Sequence, residues 1–93
     1  MLNLDHLAVL HEHLTALTRP YALAVLTTLA EQPLTVEQLA QHLDISGSTL
    51  NQTLMALRKA RMITLQKQET HFVYIISDPQ VKQLLVQIEK IYA

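Results

Sequence analysis

For most of its 93 residues the chain places leucine and other apolar residues at intervals of three and four. Leu4, Leu7, Leu10, Leu14 and Leu17 predict an amphipathic first helix over about residues 3–17. Leu23, Val25, Leu26 and Leu29 carry a second helix to about Glu31, and Gln32-Pro33 breaks it. Pro20 suits the first turn of that helix, where a missing N–H costs nothing. Thr35-Val36-Glu37-Gln38 reads as a capping box: the Thr35 hydroxyl can accept from the N–H of residue 38 while the Gln38 side chain reaches back. A short third helix runs through Leu39, Ala40 and Leu43. Asp44-Ile45-Ser46 leaves room only for a tight turn, in which Asp44 tolerates a left-handed backbone and Ser46 is a natural N-cap.

On the fourth helix, over about residues 47–60, Leu50, Leu54 and Leu57 share one face. Ser48, Asn51, Gln52, Met55, Arg58 and Lys59 lie on the other. The pattern then changes. Ile63–Gln66 and His71–Ile76 are rich in β-branched and aromatic residues and flank polar Lys67-Gln68-Glu69-Thr70, which predicts a β-hairpin. Ser77-Asp78-Pro79 caps a last helix whose Val81, Leu84, Leu85, Ile88, Ile91 and Tyr92 occupy an arc of about 120°. The expected fold is mainly α with a small hairpin wing: a winged helix-turn-helix of five helices and two strands, forming one domain over residues 1–93. Its helix-turn-helix spans about 35–60 and its wing about 63–76.

Composition sharpens this picture. A chain of this length buries roughly 60–65% of its unfolded surface, yet 49% of its residues are hydrophobic, so part of the apolar surface is expected at a subunit interface. The absence of Cys excludes a disulfide framework, a thiolate zinc site, a redox switch and a cysteine nucleophile. One Gly and three Pro argue against disorder and against a turn-rich all-β fold. The N-terminus lacks the basic region of a signal peptide, and no apolar run approaches the ~18 residues of a membrane span. A cytoplasmic protein with no membrane partner is expected. No HExxH, glycine-rich loop or recognisable Ser/His/Asp arrangement suggests an enzyme.

The net charge is only −1, but the charges are unevenly spread. Arg58, Lys59, Arg61 and Lys67 are four of the seven cations, and Ser46–Gln68 contains no acid. Phosphate binding needs a local positive face rather than a basic total. On the second helix of a helix-turn-helix, Ser46, Ser48 and Thr49 offer hydroxyls and free N–H groups to phosphate oxygens. Asn51 and Gln52 can pair bidentately with adenine edges, with Met55 beside them, while Arg58, Lys59 and Lys67 would hold the backbone.

Ser46–Ile63, read SGSTLNQTLMALRKARMI, resembles the ArsR/SmtB family of winged-helix regulators. The family pattern runs roughly S-Q-P-T-V-S-R-H-L-K-V-L-R-E-A-G-L-V, in register and without gaps. The likeness extends over about residues 17–77, through Leu23–Leu26, Thr35–Ala40 and Phe72–Tyr74. It implies a DNA-binding homodimeric regulator, a repressor in most of the family, acting on an inverted-repeat operator and released by an inducer. It further implies a dimer built from the first and last helices, about 3–17 and 79–92, through Leu7, Leu10, Leu14, Val81, Leu84, Leu85, Ile88 and Tyr92. The amphipathic character of both flanking helices supports the dimer independently. The alternative is a winged-helix module for protein–protein contact, without specific DNA binding.

Departures from the pattern carry their own expectations. Thr53 stands where the family often has His, and Asn51 where it often has Ser. Arg61 replaces the Gly that usually ends the recognition helix, at a strain of about 1 kcal/mol if left-handed. Thr70 replaces a wing Gly, and His71 stands where Arg is common. The family's Cys-x-Cys metal site would fall on Thr35 and Glu37, and the first ligand pair of its last-helix site near Asp78 and Gln80. Hydroxyl and amide groups cannot replace thiolate and imidazole for a borderline-soft metal, so no metal or other cofactor is expected. Of the five histidines, His6 and His13 share a helical face but are separated by about 10.5 Å of rise. With His11, His42 and His71 they are expected at the surface or in the subunit interface.

Overall fold

The computed structural model describes all 93 residues. It orders them as α1 (Leu4–Leu17), α2 (Ala22–Glu31), α3 (Val36–Leu43), α4 (Gly47–Lys59), β1 (Ile63–Gln68), β2 (His71–Ile76) and α5 (Pro79–Tyr92). Five helices and an antiparallel two-stranded hairpin make a winged helix-turn-helix.

Side-chain caps start four of the helices. Thr35 Oγ1 accepts from Gln38 N at 3.1 Å while Gln38 Oε1 accepts from Thr35 N at 2.9 Å, the reciprocal box expected for α3. Ser46 Oγ accepts from Thr49 N at 3.3 Å, and Asp78 Oδ1 accepts from Gln80 N at 2.9 Å with Pro79 opening α5. At α1 a second box forms between Asn3 and His6, whose Nδ1 accepts from Asn3 N at 3.3 Å. Such a cap typically contributes about 1 kcal/mol. His6 is thereby assigned a structural role.

The start of α2 departs from the expectation. Pro20 lies outside the helix, and Tyr21 precedes Ala22 in a left-handed conformation at φ 64° with no side-chain cap. Tertiary structure decides this. The buried Thr53 hydroxyl of α4 donates to the Pro20 carbonyl at 2.7 Å, holding the α1–α2 connection as a tight turn.

The core gathers around α2 and α4. Val25, Leu26, Leu39, Leu50, Leu54, Leu57, Met62 and Val81 are essentially inaccessible, and Ala16, Leu29, Ile63, Ile76 and Leu85 pack with them. Full burial of such a side chain contributes roughly 1.5–3 kcal/mol. Arg61 is left-handed at φ 62°, as its position predicts. Met62 N donates to Leu57 O at 3.0 Å and Arg61 N to Arg58 O at 2.9 Å. These are the two bonds of a Schellman ending, completed by burial of Leu57 and Met62.

β1 runs two residues further than the pattern suggested. Lys67 pairs with Phe72 and Gln68 with His71, so only Glu69 and Thr70 form the turn. The left-handed residue there is Glu69 at φ 55°, not Thr70. The outer edge of β2 is partly covered: Leu34 bridges Tyr74 through backbone bonds of 2.7 and 3.4 Å. The α2–α3 connection is thereby tied to the wing.

Two expectations about burial need correction. Val81 and Leu85 belong to the protomer's own core, so they are not available to a partner chain. His13 is also buried inside the protomer, with Nε2 4.0 Å from Asp78 Oδ2, rather than at a surface. The cause is the rotation of α1. At about 100° per residue, His13 and Ala16 lie on the order of 120° around the helix from the Leu7–Leu10–Leu14 stripe, and they are the residues that meet the body.

Candidate nucleic-acid interface

Asp44 ends α3 in a left-handed conformation at φ 53°, and Ser46 caps α4 two residues later. This tight turn sets the angle between the two helices. The leucine face of α4 is consumed by the core, which commits the opposite face to the outside. There Ser48, Asn51, Gln52, Met55, Arg58 and Lys59 are all exposed, in the arrangement expected from the helical period. Ser46 and Thr49 are tied to each other: the Ser46 hydroxyl serves as the cap and approaches Thr49 Oγ1 at 3.0 Å. Ser46 Oγ also lies 3.4 Å from Ser48 Oγ; Ser48 is exposed and Thr49 half-buried, so Ser48 is the more accessible of the two.

The electrostatics follow the same division. No acid occurs between Ser46 and Gln68, and the only Lys, Arg or His nitrogen within 4.0 Å of a carboxylate oxygen is His13 Nε2, against Asp78. Arg58, Lys59 and Lys67 are therefore without carboxylate partners. Lys67 stands on the wing directly across from Phe72, which is more than half exposed. The wing thus presents one cation and one aromatic ring, the latter not among the residues expected at DNA.

One residue near this face was missed. Arg19, in the α1–α2 turn, lines a shallow depression of about 710 Å³ together with Gln52, Met55, Ala56, Arg58 and Lys59. It is 33 positions or more from its α4 neighbours, so no local pattern could have found it.

A second surface is apolar. Leu4, Leu7, Leu10 and Leu14 of α1 and Val86, Ile91 and Tyr92 of α5 are exposed, while Leu84 and Ile88 are half-buried. Of the residues expected at a subunit contact, Leu7, Leu10, Leu14, Leu84, Ile88 and Tyr92 remain accessible. No three His, Asp or Glu side chains stand close enough to share a metal ion. No helix is long and apolar enough to cross a membrane.

Comparison with known proteins agrees with this geometry. The transcriptional activator HlyU of Vibrio cholerae is 28% identical over 79 residues, spanning 85% of this chain and 73% of that protein. A solved structure of V. cholerae HlyU superposes with a TM-score of 0.86 at 26% identity, covering 97% of this chain and 98% of the other. The transcriptional repressor BigR of Xylella fastidiosa shares the fold at a TM-score of 0.85 and 24% identity, covering 96% and 91%. So does a homodimeric winged helix-turn-helix DNA-binding domain from Mycobacterium bovis, at 0.82 and 22%, covering 91% and 79%. The model of the arsR family of bacterial regulatory proteins matches residues 19–64, from the α1–α2 turn through α4 into β1. The chain belongs to the arsR family, whose members are transcriptional regulators rather than enzymes.

Proposed function

We propose that this chain is a single-domain, homodimeric regulator that binds a specific double-stranded DNA operator and represses transcription by occupying it. The observation that carries this reading is the outer face of α4. It combines unpaired cations with amide side chains on the second helix of a helix-turn-helix and carries no acid. Asn51 and Gln52 read base edges, Ser48 and Thr49 meet phosphates near the helix start, and Arg58, Lys59 and Lys67 hold the backbone. The exposed leucines of α1, with Leu84, Ile88 and Tyr92 of α5, supply the contact between two copies. The relatives include both an activator and a repressor by name. Repression is the simpler outcome for a compact dimer, since occupancy alone can block transcription.

The metal sites of the family do not fit these residues. Thr35 Oγ1 is engaged as the α3 cap, and Asp78 is divided between the α5 cap and His13. Neither position offers a thiolate or imidazole for a borderline-soft metal.

Selection of bound sequences from a random duplex library, at two salt concentrations, tests the reading. An inverted repeat with half-sites about one helical turn apart is expected, with recovery falling as salt rises. Salt-insensitive recovery without a motif would overturn it in favour of a protein-contact module.

A further inference from the structure

Arg19 stands outside every element that the helix-turn-helix pattern assigns to DNA, yet the fold brings it to α4. The depression it shares with Arg58 and Lys59 is lined by no carboxylate. Glu12 borders a neighbouring depression that also includes Arg19 and Lys59, but it comes within ion-pair distance of neither. Three like charges around one shallow site repel one another, and an anion seated among them would remove that cost.

The backbone on either side of Arg19 is held. Arg19 N donates to Ala16 O at 3.2 Å, and Arg19 O accepts from Ala22 N at 3.1 Å. The next carbonyl, that of Pro20, accepts from Thr53 at 2.7 Å. The helix that carries the amide readers therefore also fixes the turn that carries Arg19.

We infer that Arg19 is a DNA-backbone contact from outside the helix-turn-helix, gripping with Arg58 and Lys59 a phosphodiester at the groove rim. This rests on the DNA-binding reading above and deepens it. From Asn51 to Lys59 the helix rises about 12 Å, close to the ~12 Å width of the major groove. When Asn51 meets base edges, the last turn of α4 stands at the edge of the groove, where the phosphates are. The planar guanidinium fork of arginine matches two phosphate oxygens.

The test compares the full chain with its Arg19→Ala and Arg19→Lys variants by anisotropy on the selected operator and on a random duplex of equal length. Arg19 is exposed and its hydrogen bonds are all main-chain, so both variants keep the fold. Arg19→Ala should weaken both duplexes by the same factor. With two copies bound, the slope of log K against log salt should flatten by about 1.8. Between about 50 and about 200 mM salt the unmodified protein should then lose about tenfold more affinity than the variant. Arg19→Lys should keep the slope. An Arg19→Ala slope equal to that of the unmodified protein would overturn the inference while leaving the DNA-binding reading intact. Absence of salt-dependent binding by the unmodified protein would instead defeat that reading itself.

Discussion

Leucines recur at the same helical spacing in α1 and α4, and the two helices use them in opposite ways. In α4, Leu50, Leu54 and Leu57 are at most 1% exposed and anchor the core. In α1, Leu7, Leu10 and Leu14 are 44%, 39% and 51% exposed, and the helix meets the body through His13 and Ala16 instead. Identical periodicity thus produces a helix in both places but leaves open what covers its apolar stripe. For α4 the cover is the chain itself, and the polar face is left exposed, where the proposed function places DNA. For α1 no part of the protomer covers the stripe, and a second copy is the partner that would.

The contrast can be broken at its strongest point first. Leu54→Ala should lower the unfolding free energy by about 3 kcal/mol, measured by urea denaturation, because the site is fully packed. A loss below about 1 kcal/mol would mean that α4 is not the hub of the core. The paired change Leu7→Glu with Leu14→Glu should leave helix content intact by circular dichroism. It should raise the dimer dissociation constant about 100-fold, roughly 2.7 kcal/mol, in sedimentation. Unchanged sedimentation would move the subunit contact elsewhere.

On the polar face, Asn51→Ala or Gln52→Ala should cost about 1–3 kcal/mol at the operator with little change on random duplex. Uniform weakening on both would remove them as base readers. The smallest effect is expected at Thr35→Ala, which opens the α3 capping box and should cost about 1 kcal/mol in thermal or urea unfolding. DNA affinity, measured well below the melting temperature, should be preserved.

These outcomes bear on what was legible in the sequence. The helix order, the α3 and α4 caps, the left-handed Asp44 and the outer face of α4 all follow from local spacing and residue type, and the fold reproduces them; the left-handed Arg61 was legible only through the family pattern, which has Gly there. Features that depend on distant neighbours did not show. Pro20 suits a first turn locally, but the hydroxyl of Thr53, 33 residues away, holds it outside α2. Val81 and Leu85 share the apolar arc of α5 with Leu84 and Ile88. Only packing against the body separates the inner edge of that arc from the outer. His13 and Arg19 were invisible for the same reason: the partners that define them are Asp78, the N-cap of α5, and residues of α4. Strand length in the wing was underestimated because Lys67 and Gln68 are polar, whereas the pairing that extends β1 is a backbone property.

Tyr21, Asp44, Arg61 and Glu69 all hold left-handed backbone, while the sole glycine, Gly47, sits in α4 with no positive φ. The protein therefore carries mutational headroom in its turns. Glu69→Gly would relieve strain on the order of 1 kcal/mol, partly offset by the entropy of a more flexible unfolded chain. Such a change touches neither the packed leucines nor the outer face of α4. A lineage under thermal pressure has this route open before it must alter a single residue of the proposed DNA face.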